Sequence, residues 1–124
     1  MRIPKILKWW LPVALWAALI FYLSSIPYLN SGLEEDRLLR KFAHILEYLI
    51  FTFLLHRAFK GSWDLSACRV RAYAVVLSLA YAASDEFHQL FVPGRNGTAT
   101  DILIDAVGIL GFYLLIKIFP KVKY

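Results

Sequence analysis

Charged and polar residues divide this chain into four apolar stretches. Residues 9–33 carry no charged side chain, and about 20 apolar residues are enough to cross a hydrocarbon core of roughly 30 Å. The pattern predicts a spanning helix over about 9–29, closed by Pro27 with Asn30, Ser31 and Gly32, residues that punctuate helices. Pro12 is expected in the first turns, where its missing N–H costs little. Arg2, Lys5 and Lys8 precede the stretch and no small-x-small site follows it, so it reads as a retained anchor and not a cleaved signal peptide. After Glu34, Glu35, Asp36 and Arg37 come three further apolar segments, about 42–59, 72–92 and 102–119, joined by charged or Gly/Pro-bearing connections of ordinary length. The expectation is an all-α, polytopic membrane protein, one domain over 1–124 built as a bundle of four transmembrane helices. Neither an internal repeat nor the alternating pattern of a membrane β-barrel is visible.

Composition agrees with that picture. Hydrophobic residues make up 60% of the chain and charged ones 19%, with a mean hydropathy of +0.57, which is not how a water-soluble domain is composed. The net charge of +5 sits on an oily body, which excludes a disordered tail and argues against a nucleic-acid partner. Cys68 is the single cysteine, so there is no intramolecular disulfide, and no His/Cys grouping has zinc-finger spacing. Lys and Arg set orientation through the short loops. With the N-terminus cytoplasmic, ten of the fourteen basic residues lie inside, whereas every acid except Asp64 lies toward the outside. This places both termini in the cytoplasm and the protein in a bacterial cytoplasmic membrane, with its polar chemistry at the outer leaflet.

The ionisable groups inside the apolar segments carry the functional information, because charge within a span faces a bundle interior or a watery cavity and marks a site by default. At 100° per residue, Lys41, His44, Glu47 and Tyr48 share an arc of about 120° at the outer end of the second helix. Asp85, Glu86, His88 and Gln89 stand at the outer end of the third. Asp101, Asp105 and Gly108 form one stripe on the fourth, with Gly108 allowing close helix approach. Between these two helices, Pro93-Gly94-Arg95-Asn96-Gly97 marks a tight exposed turn. His56, near a cytoplasmic helix end and without polar company, reads as a solvated or headgroup-level residue.

Lys41-x-x-His44-x-x-Glu47-Tyr48, then Glu86-x-x-Gln89 leading through Val92-Pro93-Gly94-Arg95, then Asp101-x-x-x-Asp105-x-x-Gly108, closely resembles the VanZ-like membrane protein family over about residues 9–119. The resemblance implies a small polytopic bacterial membrane protein and a connection with low-level resistance to the glycopeptide teicoplanin.

Two classes of function stay open. One is an enzyme, a hydrolase or transferase, acting on an envelope lipid or lipid-linked phosphate precursor. Glu86, His44, His88, Asp101 and Asp105 are then the candidate catalytic groups for proton transfer, and Lys41, Glu47, Tyr48, Gln89 and Arg95 the candidate substrate-binding groups, with Arg95 and Lys41 suited to phosphate. The other is a non-catalytic binder or shield for a lipid headgroup, a precursor or a glycopeptide. An ion path is weaker, because the cytoplasmic halves of the helices lack ionisable groups. No nucleophile signature such as G-x-S-x-G and no dedicated metal motif such as H-E-x-x-H is present. No cofactor is therefore expected, although His44, Glu47, Glu86, His88, Asp101 and Asp105 are of the ligand types that suit Zn, Mn or Fe. Because Arg95, Lys41, Glu86 and Asp101 fall near helix ends, water is expected to solvate any charge orphaned by mutation, so loss of one should damage function more than stability.

Overall fold

A computed structural model describes residues 4–25, 35–92 and 99–120, with side chains from 40 in the second segment and from 101 in the third. They form four α-helices and no strand: α1 (Lys5–Ser25), α2 (Glu35–Ser62), α3 (Ala67–Gln89) and α4 (Ala99–Ile118). Each helix begins upstream of its apolar stretch. Hydropathy reports the part of a helix suited to a hydrocarbon layer, whereas helical hydrogen bonding continues through charged flanks such as Glu35, Asp36 and Arg37. Ser66 supplies the start signal of α3, its side chain accepting the Arg69 backbone N–H at 3.2 Å as an N-cap should. Pro12 lies inside α1 and not in its first turn, since the helix starts at Lys5. The chain continues helical through it, as spanning helices often do.

α2 is the central element and packs against all three others. α3 also touches α1 and α4, and α1 and α4 do not meet among the described residues. Small residues set the spacing. A Cβ on Gly108 would overlap the carbonyl oxygen of Ile45, so α4 lies against the backbone of α2 and only glycine fits there. On α3, Ala74, Ser78 and Ala82 form the buried stripe that lets α2 approach.

The polarity of the bundle is inverted relative to a water-soluble one. Its interior combines Tyr48, Phe51, Leu55 and Ile109 with Ser24, Thr52, Ser78, Asp85, Glu86, Gln89 and Asp105, while Leu15, Phe21, Leu46, Val76, Leu103, Leu110 and Leu114 are among many large apolar side chains facing outward. Soluble proteins rarely expose so continuous an apolar surface. Two helices, Lys5–Ser25 and Arg40–Ser62, are long and apolar enough to cross a membrane. The buried polar groups bond to one another, as in Thr52 with Ser78 at 3.0 Å, and such interhelical bonds contribute about 0.6 kcal/mol each within a bilayer.

One residue departs from its sequence reading. His56 is buried, its Nδ1 lies 3.1 Å from the Tyr113 hydroxyl and its ring packs edge-on to Phe112. α2 runs to Ser62, so His56 is a full turn and more from the helix end, and α4 covers it. An ionisable group therefore does occupy the half of the bundle expected to lack one.

Candidate functional site

The polar end of the bundle holds a cavity of about 230 Å³ whose polar wall is made by Ser24 of α1, Arg40, His44 and Glu47 of α2, and Asp85 and Gln89 of α3. Helical periodicity builds each wall. Arg40, His44 and Glu47 are spaced i, i+4, i+7, one face of a helix. Asp85 and Gln89 continue the α3 stripe of Ser78 and Ala82, and Ser24 continues the α1 stripe of Val13 and Ile20. The site is thus an extension of the helix–helix seam in which polar residues replace the small and apolar ones.

Behind the cavity, His44 Nδ1 lies 2.9 Å from Asp105 Oδ1. Asp105 is 0% exposed, and the side chain of His44 is 18% exposed toward the cavity that it lines. With Nδ1 engaged by a buried carboxylate, the nitrogen remaining for a ligand is Nε2. The carboxylate fixes both ring orientation and tautomer, as the orienting acid does in base-assisted catalysis generally. The second oxygen of Asp105, Oδ2, has no hydrogen-bond partner among the described residues. Tyr48, wholly buried, donates its hydroxyl to Asp85 Oδ2 at 3.4 Å, a long bond, and Gln89 Nε2 donates to Ser24 Oγ at 3.0 Å. Trp16 Nε1 donates to the Glu47 carbonyl at 2.9 Å, tying α1 to the helix that carries His44.

Of the residues expected from sequence, His44, Glu47 and Gln89 line the cavity, with Asp105 and Tyr48 directly behind them. Glu86 is buried next to this group, and His44, Asp85 and Glu86 can each bring one ligand atom to within 4.8 Å of the others, the set best placed to hold a divalent cation among the described residues. His88 stands apart: its Nε2 meets Ser25 Oγ at 2.9 Å and its ring stacks on Phe21 at 4.4 Å, outside the cavity. Asp101, half-buried in the first turn of α4, does not line it either. Lys41 is exposed and does not line it. Arg95 lies outside the described residues.

The structure adds Arg40 and Ser24, and it places Asp85, already visible among the ionisable groups of the third helix, in the cavity wall. The signal for Arg40 was present in the helical wheel, where it falls between His44 and Glu47 and Lys41 falls at the edge of the arc. The burial of Glu86 and Asp105 also revises the expectation about solvation. At 5% and 0% exposure, neither has water at hand to stabilise a charge left behind by a mutated partner, so that reasoning fails for Glu86 and applies to exposed Lys41 and half-buried Asp101.

No curated protein and no solved structure matches the chain. The family model described as VanZ/LLP1 matches residues 9–120, a span that includes α2, α3, α4, all but the first four residues of α1 and every residue of the cavity. This chain therefore belongs to the VanZ/LLP1 family.

Proposed function

We propose that all four helices span a bacterial cytoplasmic membrane with both termini inside. The His44 cavity then opens toward the outer leaflet, where it acts on an envelope lipid or lipid-linked phosphate precursor. The observation that carries this reading is His44 in the wall of the cavity, with Asp105 bonded to it from behind. A buried carboxylate holding one imidazole nitrogen leaves the other positioned to accept a proton from water or an acceptor hydroxyl and to return it to the leaving oxygen, the work of a general base and then acid. Arg40 supplies a planar, permanently charged donor set suited to a phosphate. Glu47 and Asp85 complete the polar wall. The outward apolar side chains of α3 and α4 support insertion of all four helices, and the excess of Lys and Arg at the Lys60 end supports the orientation. Family membership supports a link to glycopeptide tolerance, which altered envelope lipids would produce.

The chemistry so described uses side chains alone, with Arg40 balancing part of the acid cluster. Protein purified without chelators should accordingly lack stoichiometric metal. Zn, Mn or Fe near one equivalent, lost together in His44→Ala and Glu86→Ala, would make metal-activated water the better account.

Lipid mass spectrometry of membranes with and without overexpression tests the function. A lipid change produced by the wild type and missing with His44→Gln is expected. Unaltered lipid that co-purifies equally with both proteins would favour a binder.

A further inference from the structure

A second, larger hollow lies at the opposite end of the bundle. It measures about 970 Å³ and is enclosed by the C-terminal ends of α2 and α4 and the N-terminal end of α3, within the range of sites that take small-molecule ligands. Its walls are apolar, with Val70, Leu110 and Leu114, and three cations, Lys60, Arg71 and Lys117, stand among the lining residues. Leu110 and Leu114 are 65% and 57% exposed, so the groove opens on the lipid-facing side of α4. No acid lies in the lining; Asp64 is the single acidic residue between Glu47 and Asp85, and none follows Asp105. Neither Arg71 nor Lys117 forms an ion pair with a described residue.

We infer that this groove binds an anionic phospholipid, its acyl chain along α3 and α4 and its phosphate headgroup between Arg71, Lys117 and Lys60. Two features of the ligand follow from two features of the site. The apolar wall open to the bilayer selects a chain, and the ring of positive charge selects an anionic over a zwitterionic headgroup, as basic pockets between spanning helices do. Topology alone does not account for the arrangement: orientation requires only that Lys and Arg reside on one side, whereas these three, from three different helices, converge on one hollow. The site is separate from the His44 cavity and does not depend on what that cavity does.

The test is native mass spectrometry of the full chain in detergent, titrated with phosphatidylglycerol and with phosphatidylcholine of identical acyl chains. Phosphatidylglycerol should bind more tightly to the wild type. Arg71→Gln and Lys117→Gln should each weaken it about fivefold, the worth of one basic residue beside an anionic headgroup, and leave phosphatidylcholine unchanged. Both positions are exposed, so folding is not at stake. Gly111→Leu should weaken both lipids, because Gly111 lines the groove and a side chain there meets only Leu49 Cδ1, at 3.8 Å. Arg40→Gln, at the other cavity, should leave the preference of this groove for phosphatidylglycerol in place. Equal affinity of the wild type for the two lipids, or a preference that survives the Arg71→Gln/Lys117→Gln double variant, would overturn the inference. So would a preference abolished by Arg40→Gln, which would move the headgroup to the other end of the bundle.

Discussion

Replacing Asp105 separates a positioning role from a merely structural one. Its Oδ1 lies 2.9 Å from His44 Nδ1 in a position with no solvent exposure. A hydrogen bond that involves a charged group contributes about 1.5 to 3 kcal/mol, and breaking a buried pair while leaving one charge behind costs about 3 to 5 kcal/mol. Asp105→Ala should therefore destabilise the bundle strongly, and His44→Ala should do so by leaving the carboxylate orphaned. The double variant His44→Ala/Asp105→Ala should recover part of the loss, giving a coupling energy of about 1.5 to 3 kcal/mol in a double-mutant cycle.

Asp105→Asn is the more informative change. The amide keeps the shape and can still accept from Nδ1–H, so stability should fall by about 1 kcal/mol. Activity should fall by at least about 100-fold, because a neutral amide does not stabilise the developing imidazolium and its NH2 can equally donate to Nδ1, so that the tautomer is no longer fixed. Chemical unfolding in mixed micelles measures the first quantity and lipid conversion the second. Additive losses in the cycle, or an Asp105→Asn protein that is well folded and fully active, would refute the reasoning that joins this pair to function.

Other consequences can be checked separately. Arg40→Ala should abolish activity while Lys41→Ala leaves it within about twofold, since Arg40 lines the cavity and Lys41 is exposed outside it; the reverse ranking in lipid conversion would relocate the cation. Gly108→Ala should destabilise by about 1 to 3 kcal/mol through overlap with the Ile45 carbonyl, although glycine to alanine inside a helix ordinarily stabilises by about 1 kcal/mol. Gly111→Ala, with only a 3.8 Å contact to Leu49, should be neutral or stabilising in the same unfolding assay. A membrane-impermeant thiol reagent should leave exposed Cys68 unmodified in intact cells and label it after lysis; labelling in intact cells would invert the orientation and turn the His44 cavity toward the cytoplasm.

The helical architecture was legible because a long apolar stretch has few other ways to satisfy its backbone away from water. Their limits were displaced because helical hydrogen bonding does not stop where apolarity does, as Glu35 and Lys5 illustrate. Within the site, His44, Glu47, Gln89 and Asp105 were readable as polar residues on helical faces. Lys41 and Arg40 both fall within the polar arc of α2, Lys41 at its edge and Arg40 nearer the centre of the face. Ser24 could not be found this way: a serine at the end of an uncharged helix looks unremarkable until α1 is seen to pack beside α3 and Gln89 is seen to reach it. The burial of His56 is hidden from the sequence for a related reason, since nothing local shows that Tyr113, on another helix, will cover it.

The central claim is that the His44 cavity turns over a membrane lipid. The most direct measurement is product formation by purified protein reconstituted in nanodiscs with extracted envelope lipids, counted in equivalents of product per protein. The account predicts many equivalents for the wild type and none for His44→Gln at equal folded amount; a single equivalent of unchanged lipid, held alike by both, would contradict it.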